Sequence, residues 1–528
     1  MVNDRKNIPQ EENVVKMQDN KSREKIKEKK KLSFPTAFTV LFIILFLASI
    51  LTYTVPAGSF ERLQYDPETS QFTKIGIDGS ESKLEANEEV LQEHNISIPL
   101  QNFKDGKVLK PVAIPGTYQK LEQRSQNFIE VLKAPIQGVA ESIGIITFVL
   151  ILGGIIEVLN KTGAFAAGVA ALSKRTKGRE FLLVTIIMSL VSLGGTTFGF
   201  AEETIAFYPI LMPIFLASGF DALVCISGIF LGSAIGTMFS TVNPFSVVIA
   251  SNAAGISLAE SLPYKIIGLI GATLIALVYV YRYAKRVKED PNNSLVAEEM
   301  PAIREKFLEN YNVDEVHTFN WRKSISLVIF ALAFLVMIWG VVVHGWMFEE
   351  MSALFLFVAL LIMILSGLSE KEVVGTFLTG ASSLVSVALI IGVARGINII
   401  LDNGMVSDTF LNGSSVIISK MNGFAFAVVQ MILYSFLGIF IPSSSGLASL
   451  SMPIIAPLAD VVNVGRDVVV SAYNYGQGLM AFITPTGLIL ATLELVGISY
   501  DKWLKFVLPL MIIIGIFAII MLGIQVAF

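Results

Sequence analysis

Polar, ionisable and helix-breaking residues gather at four short places in an otherwise apolar chain. Two are Gly- or Ser-rich strings, GGTTFGFAEET at 194–204 and IPSSSGLAS at 441–449, which supply Thr196, Thr197, Glu202, Glu203, Ser443, Ser444 and Ser445. The other two are Ser240-Thr241-Val242-Asn243-Pro244 and Thr484-Pro485-Thr486-Gly487, with Asn474, Tyr475 and Gln477 just ahead of the second. Pro or Gly interrupts a helix, and an interrupted helix frees backbone N–H groups at one half-helix end and carbonyls at the other. Hydroxyl and amide side chains beside those ends can coordinate a small solute. The competing reading is a structural kink whose hydroxyls bond back to the backbone, with small tip residues serving close packing. Glu202 and Glu203 add carboxylates, which pair with guanidinium or ammonium groups. Their bland roles are bonding to the hairpin's own N–H groups or carrying protons. Being adjacent, they point about 100° apart on a helical arm, so one faces the solute, with Glu203 slightly preferred. The tips and breaks contain no Lys or Arg, which disfavours a dianionic solute.

Those residues need a membrane around them. The 528 residues are 53% hydrophobic and only 16% charged, with a mean hydropathy of +0.67, against about 25% charged in soluble proteins. A net charge of −4 excludes a strongly basic nucleic-acid binder. One cysteine, Cys225, permits no disulfide framework, and His94, His317 and His344 are too scattered for a His/Cys metal site. No cofactor is expected, though Na⁺ or H⁺ coupling stays open. No GxxxxGK[ST], HExxH or GxSxG string occurs, so neither direct ATP drive nor a membrane-embedded hydrolase is supported. A channel relies on rings of pore-lining groups, whereas this pattern places a closed site inside one chain.

A crossing helix needs about 20 apolar residues. Candidate spans are 34–55, 143–160, 221–258 with a break, 262–284, 324–345, 350–367, 381–402, 467–498 with a break, and 503–526. Residues 181–219 and 424–460 instead read as two re-entrant hairpins, each with two arms of roughly 15 residues around a polar tip, short for a crossing. The fold class expected is an all-α polytopic membrane protein: an inverted-topology repeat with two re-entrant hairpins and two broken transmembrane helices.

The repeat is visible directly. LILGGIIEVLNKTGAF (150–165) aligns with LIIGVARGINIILDNGMV (389–406), Pro213 with Pro453, Pro244 with Pro485, and Gly-Ile-Ser at 255–257 with the same string at 497–499. Collinear matches at an offset near 240 indicate duplication. Arg395 then falls beside Glu157, suggesting a structural ion pair, while Asp402 and Glu494 near span ends read as snorkelling. The basic segments KSREKIKEKKK (21–31), KRTKGRE (174–180) and YRYAKRVK (281–288) place the N-terminus and 285–323 in the cytoplasm and 56–125 outside. The second half is thereby inverted. Paired broken helices in inverted halves point to a secondary transporter with a midplane site.

The strings GGTTFGFAEETIAFYP, STVNPFSVVIASNAAGI and IPSSSGLASLSMPIIAPL, with VPAGSFER (55–62) and IPGTYQK (114–120), resemble the YfcC family of basic amino-acid antiporters. That family includes arginine/ornithine exchangers and is similar to the anaerobic four-carbon dicarboxylate carriers within the ion transporter superfamily. The resemblance covers roughly 34–526. It implies a homodimer in the inner (cytoplasmic) membrane with a fixed scaffold and an elevator-like mobile part, carrying a cationic amino acid, with a dicarboxylate as the alternative. The organisation expected is a cytoplasmic basic tail (1–33), the first transmembrane helix and external loop (34–142), repeat 1 (143–284), a cytoplasmic loop (285–323), scaffold helices (324–380) and repeat 2 (381–528).

Overall fold

The computed structural model describes residues 35–105, 108, 110–164, 167–168, 179–308, 320–344, 346–418, 421, 423–441, 443–462 and 464–527. The basic tail, nearly all of KRTKGRE and part of the 285–323 loop lie outside the described residues.

The chain enters through α1 (Ala37–Thr54), capped by the Thr36 hydroxyl, which accepts from the Thr39 amide. The segment expected to be an external loop folds into β structure. Strands β1 (Gly58–Ser59), β2 (Arg62–Asp66), β3 (Gln71–Ile75) and β4 (Glu81–Glu85) are followed by α2 (Glu88–Glu93), α3 (Leu100–Lys104), β5 (Val112–Ala113) and β6 (Gln119–Lys120). An antiparallel sheet in the order β4-β3-β2-β5 forms, and β1 pairs with β6. Leu63, Phe72, Phe103 and Val112 are fully or almost fully buried and give this small domain its own apolar centre.

Helices α4 (Phe128–Glu141) and α5 (Ile143–Lys161) follow, then α6 (Glu180–Phe198), a 3₁₀ turn at Glu202–Phe207 and α7 (Tyr208–Ala217). Next come α8 (Ala222–Met238), with a π turn at Ser227–Leu231, α9 (Val247–Ala254) and α10 (Leu258–Glu289). The last starts at a capping box in which the Glu260 carboxylate accepts from the Ser257 amide. After α11 (Met300–Leu308) come α12 (Trp321–His344), α13 (Phe348–Ser366), α14 (Glu370–Ser383) and α15 (Val385–Asn403). The chain ends with α16 (Ser407–Ile418), α17 (Gly423–Phe440), α18 (Ser444–Val461), α19 (Arg466–Ala481), α20 (Ile489–Val496) and α21 (Tyr500–Ala527).

Among the described residues, nine helical stretches are long and apolar enough to cross a membrane. They include α6 and α17, the first arms of the two expected hairpins, which run 19 and 18 residues rather than about 15. The helix breaks fall where Pro and Gly demand them. Helix α8 stops at Met238 and α9 resumes at Val247; α19 stops at Ala481 and α20 resumes at Ile489. Both short half-helices end on a left-handed glycine, Gly255 (φ 72°) and Gly497 (φ 88°), a backbone that a side chain would strain.

Element boundaries repeat at a fixed offset. Both ends of α4 and α14, of α5 and α15, and of α9 and α20 are 242 residues apart, as are the starts of α10 and α21. The helices α4 and α5 meet at Ser142, and α14 and α15 meet at Leu384. Their packing is exchanged: α4 lies on α15, and α14 lies on α5. Glycine makes both approaches possible. A Cβ on Gly138 would come within 2.0 Å of the Gly392 carbonyl, and one on Gly380 within 2.3 Å of the Gly153 carbonyl.

Two packed groups result. Helices α1, α4, α5 and α12–α15 form the first; α6, α8–α10, α17–α19 and α21 form the second. The half-helix α20 and the turn Glu202–Phe207 touch the first group, at α15 and α5 respectively.

Candidate solute-binding site

The first tip and the first break are knitted together. The Thr196 hydroxyl donates to the Phe239 carbonyl (3.0 Å) and lies 3.1 Å from the Thr241 hydroxyl, while the Thr241 amide donates back to it (2.9 Å). The Asn243 amide nitrogen donates to the Gly195 carbonyl (3.1 Å), and its oxygen accepts from the Phe245 amide (2.8 Å). Ser240 bonds the Thr237 carbonyl and accepts from Ser246, and Thr197 donates to the Leu193 carbonyl (2.6 Å). The polar groups of this half therefore hold its own backbone.

The second break is less satisfied. Both amide atoms of Asn474 and the Thr486 hydroxyl are buried without a hydrogen-bond partner, an arrangement that costs free energy unless something fills it. Thr484 donates to the Met480 carbonyl (2.8 Å). Asn474, Gln477, Thr484, Gly487 and Ser444 line a cavity of about 100 Å³, with Thr237 and Ser246 from the first break opposite. Ser443 caps α18 by accepting from the Gly446 amide (3.2 Å). Tyr473 donates to the Ser444 carbonyl (2.7 Å), while the Tyr475 ring packs tilted against Phe239 at 4.7 Å between centroids.

Gly487 is shared with a larger cavity, about 460 Å³, between the two helix groups. The first group contributes Glu141, Ala394, Arg395 and Asn398; the second contributes Glu202, Ser443 and Thr486. Glu202 is exposed into this space, whereas the Glu203 carboxylate accepts from the Ala201 amide (3.2 Å) within its own turn. Of the two adjacent acids, the one slightly preferred from the sequence, Glu203, is held in its own turn, and Glu202 is the one that lines this space. Arg395 and Ser443 also line a third cavity of about 590 Å³, which reaches the β domain at Arg62 and Lys110. The three spaces share walls in sequence from the β domain to the two breaks.

Arg395 does not pair with Glu157 as the alignment of the halves suggested. Its Nε donates to Glu141 at 2.7 Å, because the register of 242 sets Arg395 opposite Gly153 and brings α15 onto α4. Glu157 lies against Gly380 instead. Glu494 is at the far end of α20, where Lys306 faces it and donates to the Leu495 carbonyl (2.7 Å). Lys110, Glu141 and Asn398 were missed by sequence reasoning. The Asn398 signal was present: Arg395, Asn398 and Asp402 are spaced by three and four in an apolar helix, one polar stripe. Lys110 gave no signal. It reaches the second tip from the β domain, donating to the Ser445 hydroxyl (2.7 Å). Burial, then the Arg395 charge, pulls its amine below the ordinary lysine value.

Residues 34–527 match the family model DcuC, the C4-dicarboxylate anaerobic carriers. An uncharacterized protein of Haemophilus influenzae is 46% identical over 501 residues, covering 95% of this chain and 98% of that one. The Escherichia coli protein named "Putative basic amino acid antiporter YfcC" is 30% identical over 473 residues, covering 87% and 90%. Among solved structures, MtrF of Neisseria gonorrhoeae, described within a class of antimetabolite efflux pumps, aligns over 93% of this chain and 95% of its own at 16% identity, with a TM-score of 0.37. The chain belongs to the YfcC/DcuC family and is a multi-pass membrane transporter, not an enzyme.

Proposed function

We propose that the protein is a secondary active antiporter of basic amino acids, of the arginine/ornithine type, working by an elevator-like alternation between the two helix groups. The observation that carries the substrate class is Glu202. It is a carboxylate exposed into the cavity between the groups and, among the described residues, has no ion-pair partner. The cations nearby are already engaged, Arg395 by Glu141 and Lys110 by Ser445. A guanidinium or ammonium supplies what Glu202 lacks. The unpartnered atoms of Asn474 and Thr486 then take the polar remainder of the solute, together with Ser443, Ser444, Ser445 and Thr484 around the second break. Thr196, Thr197, Ser240, Thr241 and Asn243 hold the opposite wall. The name printed for the E. coli relative points the same way.

The inverted repeat is supported by the offset of 242 shared by α4/α14, α5/α15 and α9/α20 and by where equivalent helix ends lie. The end of α9 meets the β domain, with Asn102 donating to the Asn252 carbonyl (3.3 Å). The end of its counterpart α20 meets Lys306 of the segment after α10, and α10 spans about 48 Å at 1.5 Å per residue between those two regions. We assign the side bearing Lys285, Lys288, Lys306, Arg322 and Lys323 to the cytoplasm on the positive-inside rule. This places the N-terminus and the 285–323 loop inside, the β domain outside and the hairpins re-entrant from opposite faces, in an inner membrane. The homodimer rests on the superfamily resemblance alone.

Counterflow of labelled solutes in proteoliposomes tests the substrate. Glu202→Gln keeps the shape and removes the charge, so affinity for a basic amino acid falls about tenfold or more. A second reading, exchange of a C4-dicarboxylate, is favoured by Arg395 and Lys110 along the same passage. If Glu202→Gln leaves basic amino-acid exchange intact while wild type carries succinate or fumarate, the cationic reading gives way to it.

A further inference from the structure

The second helix group contains a lysine with no evident structural task. Lys265 lies two turns into α10, is fully buried, and its Nζ has no hydrogen-bond partner. A buried ammonium without an acceptor is among the costliest arrangements a protein can hold, so its retention needs a use. Other buried hydroxyls lie on α10 and on the helices packed against it: Ser261 one turn earlier on α10 and Ser251 on α9, both without a hydrogen-bond partner, and Ser471 and Tyr475 on α19. The charge facing Lys265 is Asp467 on α19, whose carboxylate accepts from Gln525 of α21. Of the other helices packed on α10, α8 and α9 carry no charged residue, α6 carries only Glu180, paired with Lys288 near the far end of α10, and α21 brings Gln525 here with Asp501, Lys502 and Lys505 at its opposite end; on α19 Arg466 is held by Asp460 and by the Ala254 carbonyl.

The position ties this lysine to the solute. One turn beyond it, Gly268 packs on Phe239, the residue that closes α8 at the first break, and the Phe239 ring packs tilted against Tyr475. Helix α19 carries Asp467, Ser471 and Tyr475 at helical spacing, and Asn474 and Gln477 into the cavity. A single rigid element therefore touches both the solute cavity and the neighbourhood of Lys265.

We propose that Lys265 is the proton-binding site of the transport cycle and that a proton can stand in for the second amino acid as the species exchanged against a basic solute. Protonation makes Nζ an ammonium opposite Asp467; release returns a neutral amine and a proton to water. A cationic solute in the cavity and an ammonium one layer behind it repel each other, so each lowers the affinity for the other, and by linkage the effect is reciprocal. This rests on the cationic reading of the substrate for its direction, not for the existence of the proton site.

The test uses the full-length protein in Na⁺-free proteoliposomes, with a panel of labelled basic amino acids and C4-dicarboxylates. Wild type accumulates basic amino acid when the lumen is acidified, and Lys265→Gln loses this response while counterflow at equal pH on both sides persists. Asp467→Asn, which keeps Lys265, shifts the pH dependence of gradient-driven uptake toward acid. The proposal is overturned if wild type ignores the pH gradient, or if Lys265→Gln responds as wild type does. If Lys265→Gln does not fold, an unshifted pH profile in Asp467→Asn overturns it in turn. Gradient-driven uptake of dicarboxylates but not of basic amino acids, lost in Lys265→Gln, refutes the cationic substrate and the direction of exchange while leaving the proton site standing. A wild type that exchanges neither class overturns both readings.

Discussion

Asn243 and Asn474 look alike in the sequence, each an amide at or near a helix break, and the fold gives them opposite circumstances. Asn243 uses both ends of its amide to hold the Gly195 carbonyl and the Phe245 amide. Asn474 uses neither, and faces a cavity. Removing a partner from a buried polar group costs about 1–3 kcal/mol. For Asn243→Ala that cost falls on folding, since two backbone groups are orphaned, and the melting temperature in detergent drops. For Asn474→Ala the orphans themselves disappear, so the melting temperature holds or rises while solute affinity weakens. A thermal melt paired with equilibrium binding separates the two, and a stable Asn243→Ala would refute the bracing role. The residue types at the site were legible because Pro, Gly, Ser, Thr and Asn have few reasons to cluster in an apolar run. Which of them are already spent on backbone was not legible, because that depends on hydrogen-bond partners more than 40 residues away, such as Thr196 on Thr241.

At the scale of elements, the halves were found from scattered Pro and Gly matches, and the register drifted from 239 to 242 along the chain. In the structure α4, α5, α9 and the start of α10 stand 242 residues from their counterparts, while the ends of α6 and α8 stand 242 to 244 from those of α17 and α19. A string match on single Pro and Gly residues does not fix the register of the helix that contains Arg395. This is why Arg395 was assigned the wrong partner. The helix breaks were readable because Pro removes a donor and clashes with the preceding turn. The small β domain was not, because its strands are two to five residues long and its alternation is confined to a few positions such as Leu63 and Phe72. The exchanged crossing of α4 on α15 and α14 on α5 is the element-level feature with the sharpest consequence. Between membrane helices close backbone approach replaces the hydrophobic driving force. A methyl group on Gly380 would meet the Gly153 carbonyl at 2.3 Å and the Glu157 Cβ at 2.4 Å, both unable to swing away cheaply. Gly380→Ala should therefore cost about 1–3 kcal/mol as overpacking, read as a lowered detergent melt. The same change at Gly375, which has nothing within 4 Å, should be silent. Equal melts for the two variants would show that the crossing is not as tight as drawn.

For the whole molecule, the β domain is rooted in one helix group and leans on the other. Its root is firm: Asp408 accepts from the Ser59 hydroxyl, the Phe60 amide and Arg62, Gly58 donates to the Met405 carbonyl, and Gln123 bonds the end of α1 at Thr52 and Val55. Its contacts with the second group include no ion pair among the described residues: β5 packs on α18, Asn102 donates to the Asn252 carbonyl, Lys110 to Ser445, and Ser97 lies beside Gly255. If the second group slides against the first, those contacts must part in every cycle while the Asp408 cluster stays closed. A cleavable bifunctional cross-linker between Asn102→Cys and Asn252→Cys, in a Cys225→Ala background, should then stop exchange, and cleaving the linker should restore it. Either single-cysteine variant treated alike should transport normally. The single-cysteine variants carry the same reagent, so its bulk in a cavity does not explain a block seen only in the double variant. If the cross-linked double variant exchanges solute as fast as the uncross-linked one, the β domain travels with the second group, and the boundary between fixed and moving parts must be drawn through the Asp408 cluster instead.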